Sequence, residues 1–470
     1  VKNSHVAATF VVLVNTLLGG CAHYESKPLT SQSVEKSLAT PDPSALKVAA
    51  ESLQHPIVKP MAIDLERGVT PEQAAVLALV LNPSLRAERD QRSLSAAQLL
   101  QAGLLPNPSL TAGLELPHNN GPADDFTGYN VGLEWEVTSL ITHETKVRAA
   151  RATSASVDLD VAWKEWQTAE AAKTSAYDVI ALRAALAAAR QADDRQKQNL
   201  DLVRRAVEQH SKTLLDLSAA EAAAQDAHAI VLTGQHDLQH QVSALNRSIG
   251  LQATSSIELR SDVPLPSQLD PPGIGQLFDG LEERRLDLMA LKKGYESEDE
   301  TLRAAILAQF PKISFGLTRA RDTSSVDTIG LGVTMDLPIF DRNQGNIATE
   351  KATRQKLFDE YISRVFEARW DISMAIEDIQ ATNAQIADAE AALPQLQRFA
   401  DVYRDALQKG NVDVLSYYAA QTSLINKQLA IVKLKQQLIE NWIALEIAAG
   451  QYLPIPASAA TQPTTREAGE

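Results

Sequence analysis

The chain has 470 residues and a net charge of −15, with 59 acidic against 44 basic side chains; this disfavours nucleic acid as a partner, because phosphate backbones are bound by cationic surfaces. Aromatic residues make up only 5% while Ala, Leu and Gln abound, which favours long helices joined through small side chains over one thick globular core. Cys21 is the single cysteine, so an internal disulfide and a cysteine-based metal cluster are excluded.

In chain order, Lys2 precedes a mostly apolar run, 6–18, which is too short to span a bilayer as a helix and reads as the core of a signal peptide covering 1–20. The run ends Leu17-Leu18-Gly19-Gly20-Cys21. That pattern resembles the bacterial lipobox and implies a lipidated Cys21, palmitate included. Ala22 after it resembles lipoproteins sorted to the outer membrane. Several acyl chains anchor stably, at about 0.8 kcal/mol per buried CH₂. Over 21–69, Pro28, Pro41, Pro43, Pro56 and Pro60 among Ser and Thr predict an extended, lipid-anchored tether.

Thr70 and Pro71 start a helix that Asn82-Pro83 interrupts and that then runs to about Gly103. A hairpin follows, with strands expected at about 109–116 and 128–137. Leu110, Ala112, Leu114 and Leu116 alternate with Ser109, Thr111, Gly113 and Glu115; after a turn-rich loop, 117–125, Val131, Leu133, Trp135 and Val137 alternate with Gly132, Glu134 and Glu136. A helix from about His143 to Glu208 and a return helix ending at Ile249 complete a unit, 70–250.

The same unit recurs at an offset of 200. Ala152-Thr153 matches Ala352-Thr353, Arg204 matches Arg404, Leu215-Asp216 matches Leu415-Ser416 and Gly250 matches Gly450, all without a gap. The second repeat, 276–450, carries a helix from Gln276 to Ala308 and strands at about 312–319 and 328–337, the last ended by Pro338. Asp341 and Asn343 are cap candidates for a helix from Asn343 to about Lys409, and a return helix runs from Asp413 to Ala449. Within the long helix Ile372, Ile376, Ile379, Ile386, Leu393, Leu396, Ala400, Tyr403 and Leu407 follow heptad spacing, with a kink or slip expected near Pro394. The Pro-rich stretch 251–275 reads as a connector and 451–470 as a disordered tail.

Each strand is about as long as a tilted strand needs to cross a bilayer. Four cannot close a barrel, and open sheet edges do not survive in lipid, so copies of the chain must pool their hairpins. Two other readings remain: a soluble hairpin whose oily face meets a core, and a lipid-anchored coiled-coil periplasmic spacer without a pore.

The lipobox, the duplicated order of helix, strand pair, long helix and return helix, the Pro-ended strand and the glycine-bearing turn near Gly410 resemble the TolC family of outer-membrane factors. The stretch LPIFDRNQGNIA, Leu337 to Ala348, is similar to the CzcC-like branch that serves heavy-metal efflux. The resemblance implies a mainly helical fold with membrane β structure: a homotrimer whose strands form a twelve-stranded barrel, continued by a periplasmic helical barrel. It further implies docking to a periplasmic adaptor and an inner-membrane resistance-nodulation-division pump, with heavy-metal cations as cargo and multidrug or general export as the alternative. The adaptor contact and aperture map to the helix turns, at His210, Ser211, Lys212, Thr213 and Leu214 and at Gly410, Asn411, Val412, Asp413 and Val414, with Asp216 as an acidic aperture residue. The polar strand face, including Glu115, Glu134, Glu136 and Asp336, is expected to line a cation-favouring pore.

Catalytic motifs are missing: no GxSxG, no phosphate loop, and no second histidine to complete a zinc-protease helix after His143-Glu144. No enzymatic activity and no cofactor are expected. His236 and His240 lie four apart with Asp237 between them and His228 two turns earlier, a spacing that could hold a metal but reads better as an exposed polar face.

Overall fold

The computed structural model describes residues 23–116, 118, 126–255, 257–409 and 412–455. Cys21 and the tail beyond 455 lie outside them. Residues up to Pro41 form a unit of their own. It holds α1 (Ser31–Leu38), begun by a reciprocal cap in which Thr30 Oγ accepts from the Ser33 N–H and Ser33 Oγ accepts from the Thr30 N–H.

The second unit opens with α2 (Pro43–Glu51). Expected to be part of an extended tether, this region instead buries Leu46, Ala50 and Ile63, and Val69 bridges to Leu259 of the connector. The apolar side chains between the prolines outweigh the prolines' preference for extended chain. His55 pins the segment: its Nδ1 accepts from the N–H groups of Ile57 and Val58, while Nε2 lies 2.9 Å from the Ala162 carbonyl.

The first repeat comprises α3 (Pro71–Leu81), α4 (Pro83–Gly103), β1 (Ser109–Glu115), β2 (Gly128–Glu136), α5 (Ser139–Glu208) and α6 (Leu214–Ile249). The second comprises α7 (Ile274–Phe278), α8 (Leu281–Arg284), α9 (Leu286–Leu307), β3 (Ile313–Arg321), β4 (Asp327–Met335), α10 (Gln344–Gln408) and α11 (Val414–Ala449). The one helix expected from Gln276 to Ala308 is three pieces. Gly280 sits at φ +64°, and the extended backbone of Asp279 and Arg285 breaks the ladder. Pro394, by contrast, lies inside α10 without ending it, so the helix runs through the position where a slip was expected. Asn343 does not cap α10 with its side chain: it takes φ +62° and donates through Nδ2 to the Ala305 carbonyl, tying α10 to α9.

The two repeats are built alike in detail. Each return helix ends in a left-handed glycine, Gly250 at φ +93° and Gly450 at φ +65°. A Cβ on Gly250 would lie 2.5 Å from Asn82 Cα, and one on Gly450 would lie 2.7 Å from Arg285 Cγ. The residues pressed on these glycines reach the same carbonyl, Asn82 Nδ2 donating to Ser248 O at 2.8 Å and Arg285 Nη1 to Ala448 O at 3.2 Å. Ser248 and Ala448 are again 200 apart.

Where the repeats meet, the core carries charge. Lys173 of α5, 1% exposed, bonds to Glu446 of α11 and lies 3.5 Å from Glu170. Two buried carboxyls thus share one ammonium. Burial pushes Glu170 up to about 8, against the pull of Lys173, so its carboxyl is largely neutral at neutral pH. Nearby, Asp287 accepts from Arg285 and Arg364 at 2.8–2.9 Å. Burial pushes its carboxyl up, but those two guanidiniums outweigh burial and hold it below its ordinary value.

Replacing Lys173 by Met strands the Glu446 carboxylate in the core; about 3–5 kcal/mol of stability should be lost, measured by urea unfolding at pH 7. Glu170 predicts a pH dependence of its own. Its folded pKa is raised from 4.5, so its contribution is fully present below about 4.5 and is lost as pH rises through about 8. The melting temperature should fall as pH rises from about 5 to about 8 and level off above that, and Glu170→Gln should flatten that fall.

Candidate functional site

The four strands form one antiparallel sheet in the order β1-β2-β3-β4. Their alternation comes into register, with Leu110, Leu133, Leu317 and Leu331 side by side, Ala112 beside Val131, and Trp135, Phe315 and Val333 in a neighbouring row. This face is uncovered: Leu114 is 76% exposed, Ile329 77% and Leu331 88%. From the leucine row the apolar set continues towards the hairpin loop through Leu114 on β1 and Ile329 on β4, and towards the helices through Phe315 and Ile313 on β3, whose loopward positions on this face are Arg319 and Arg321. At the loop end Tyr129 donates to Asp327 at 3.2 Å and Arg321 lies over the Phe126 ring.

The other face is small and polar, with Thr111, Gly132, Thr318 and Gly330 in one row. Glu115 and Glu134 are exposed on it. Glu136 shares the face but is half-buried, its Oε1 accepting from the Ser139 N–H at 2.9 Å at the start of α5. Asp336 is exposed just beyond β4, its N–H bonded to the Lys312 carbonyl. Of the four expected pore residues, the structure thus leaves Glu115, Glu134 and Asp336 exposed and gives Glu136 to a helix start.

At the far end of the helices are two turns. The first places His210 at φ +58°, and in sequence its counterpart is Gly410, which, with Asn411, lies outside the described residues. Thr213 caps α6: its Oγ accepts from the Asp216 N–H at 3.1 Å, and Asp216 Oδ2 accepts from the Thr213 N–H at 2.9 Å. Asp413 caps α11, accepting from the Ser416 N–H and hydroxyl at 2.8 Å each. Acid and hydroxyl have traded places between the first and fourth positions of the cap, which is why Asp216 has Ser416 opposite it. Backbone hydrogen bonds lead in holding both carboxyls below their ordinary values. Leu214, Leu215 and Leu415 stand 73%, 75% and 63% exposed at the turns, while Val414 is buried with Val203, Leu407 and Tyr417, and Val412 is half-buried.

Beside the turns lies a cleft of about 560 Å³ whose lining includes Arg195, Lys212, Arg404 and Lys409 and no carboxylate. Sequence reasoning singled out only Lys212 here. The other three sit on α5, α10 and the turn after α10, and only the pairing of the two helical hairpins brings them together. His236 and His240 carry no such convergence: among the described residues no group of three or more His, Cys, Asp or Glu is placed to hold a metal.

No described helix is long and apolar enough to cross a membrane. Residues 277–451 match the family model described as "Outer membrane efflux protein". The chain is 26% identical over 123 residues to the cobalt-zinc-cadmium resistance protein CzcC of Cupriavidus metallidurans, covering 26% of this chain and 29% of that protein. It is 26% identical over 257 residues to the cation efflux system protein CusC of Escherichia coli, covering 51% of this chain and 54% of that protein. The matches therefore span about half the length of these relatives or less. Among solved structures, CusC superposes with a TM-score of 0.71 at 19% identity, over 86% of this chain and 99% of that one. The outer membrane protein VceC of Vibrio cholerae superposes with a TM-score of 0.69, also at 19% identity, over 81% and 96%. Over residues 277–451 the chain is thus similar to the outer membrane efflux protein family, and its fold is that of a TolC-like outer-membrane factor.

Proposed function

We propose that the chain is one subunit of an outer-membrane channel that exports heavy-metal cations as the outermost part of a tripartite resistance-nodulation-division efflux system. The observation that carries this reading is the sheet with a broad exposed apolar face, interrupted by Arg319, joined to helices of 70 and 65 residues. Such helices reach about 100 Å at 1.5 Å per residue, far beyond the thickness of a bilayer. Three copies would pool their strands into a twelve-stranded barrel, anchored further by lipid on Cys21.

The metal cargo is supported by the names of the two curated relatives, which state cobalt-zinc-cadmium resistance and cation efflux. Glu115, Glu134 and Asp336, repeated round a ring, would give the lumen a negative potential that raises the local concentration of cations. The pump would supply the energy and this chain the conduit. The tip would meet the periplasmic adaptor through Lys212, Thr213, Leu214 and Asp216 on one turn and Gly410, Val412 and Asp413 on the other; the exposed leucines there are apolar anchors on a polar rim.

Deleting the chain from its strain should lower the inhibitory concentrations of zinc, cobalt, cadmium, copper or silver several-fold and leave a drug panel unchanged. The reverse pattern would overturn the metal reading and leave a general exit duct. Lys212→Glu and Val412→Asp should each weaken cross-linking to the adaptor and reduce metal tolerance without altering oligomer mass. Unchanged cross-linking and tolerance in both would remove these positions from the docking contact.

A further inference from the structure

The apolar face of the sheet carries two arginines, and both stand on one strand. Arg319, two residues beyond Leu317 on the same face of β3, shares its row with Ala112, Val131 and Ile329. Arg321 shares the next row towards the loop with Leu114, Tyr129 and Asp327. Val131 and Ile329, on either side of Arg319, are 43% and 77% exposed, so this exposed guanidinium rises from an apolar surface. β3 is flanked by β2 and β4 of its own chain. Another copy that joined the edges at β1 and β4 would therefore leave the face of β3 open.

The chain positions these charges without neutralising them. Arg319 has no hydrogen-bond or ion-pair partner among the described residues. Arg321 donates through Nη2 to the Ser325 hydroxyl and lies 5.5 Å from the Phe126 ring centroid, while its Nε is buried with no acceptor among the described residues. The carboxylates nearby are engaged elsewhere. Asp327 accepts from the Tyr129 hydroxyl at 3.2 Å, and Asp322 Oδ1 accepts from the N–H groups of Ser324 and Val326 at 2.9 Å each.

A charge on the lipid face of a barrel is costly at the bilayer midplane and tolerated near the interface. Both arginines stand at the loopward rim of the apolar face, since Ile329 is the last apolar residue of β4 on that face before Asp327. Tyr129 and Phe126 beside Arg321 are side chains of the kind that gather at a water–lipid boundary. Arg319, one row lower, can lay its stem on Val131 and Ile329 and raise its head to that boundary. Side chains two apart on a strand stand about 7 Å from each other, so one tetrahedral anion can meet both guanidiniums. The planar donor fork of arginine matches phosphate. Directly below lies the row of Leu133, Leu317 and Leu331. Cations above hydrocarbon are the complement of a lipid that carries phosphate above acyl chains.

We propose that Arg319 and Arg321 bind a phosphate of the lipid that faces the loop end of the sheet, the phosphate-bearing glycolipid of the outer leaflet. Its acyl chains lie along Leu133, Leu317 and Leu331. Arg321, fixed by Ser325 and Phe126, sets the height of the phosphate, and Arg319 closes on it from below. The site rests on the outer-membrane channel proposed above, in which the loop end meets the outer leaflet and the helices lie in the periplasm.

The test uses the full-length chain in dodecyl maltoside, with diphosphorylated lipid A as the probe and native mass spectrometry as the readout. The unaltered chain should retain this lipid and should not retain the same lipid after its phosphates have been hydrolysed off. Arg319→Gln, which removes no polar contact within the described chain, should weaken retention about fivefold, and Arg319→Gln combined with Arg321→Gln about thirtyfold, with oligomer mass unchanged. Arg319→Lys should keep most of the retention. If a chain that needs detergent to stay in solution retains no lipid A, retains it equally with and without phosphates, or retains it equally in the double variant, this site is overturned and the channel stands. An unaltered chain that is monodisperse without detergent and retains no lipid would overturn the channel reading and the site together.

Discussion

The outer edges of β1 and β4 carry backbone N–H and C=O groups that no strand among the described residues pairs, and the sheet between them exposes its apolar face. In hydrocarbon each unsatisfied group costs several kcal/mol, so an open sheet is stable there only once its edges are closed. A four-stranded sheet is too narrow to curl onto itself. In the channel proposed above the remedy comes from other copies, and that requirement reaches down the helices, because strands from different chains would meet only if the helices beneath them run side by side.

The duplication makes that arrangement economical. One set of contacts is written twice: a helix-terminal glycine pressed by the residue that starts the next helix, the same carbonyl bonded from the same side, the same long helix wrapped by its return helix. On the long helices the matching faces have diverged. That of α5 carries Trp163, Trp166 and the charged group of Glu170, Lys173 and Glu446, whereas that of α10 carries Phe366 and Trp370 without buried ionisable partners.

At the far end the two turns reach one geometry by different chemistry. Thr213 with Asp216 and Asp413 with Ser416 each satisfy the first free N–H groups of a return helix, with acid and hydroxyl exchanged. Both carboxylates are thereby engaged by backbone. The cleft beside the turns gathers Arg195, Lys212, Arg404 and Lys409, of which Arg404 is paired with Asp401 at 3.1 Å.

Local pattern sufficed for the strands, the long helices and the repeat, because side-chain alternation, cap residues and a constant offset of 200 are properties of neighbouring residues and need no knowledge of what lies opposite. It placed Glu115 and Glu134 on the polar face for the same reason. Three features were settled only by contacts between distant segments. The proline-bearing stretch around Leu46 and Ile63 packs because α3 and α5 offer it an apolar surface; the helix before β3 breaks because Gly280 turns left-handed and Arg285 is drawn to Asp287 and the Ala448 carbonyl; and the basic cleft exists because two hairpins pair. The exposed apolar row on α10, with Phe358, Ile362, Phe366, Trp370 and Met374, belongs to both levels. Its four-residue spacing is written in the sequence, but that it is bare where its twin on α5 is covered depends on which helices the rest of the chain has left to pack against it.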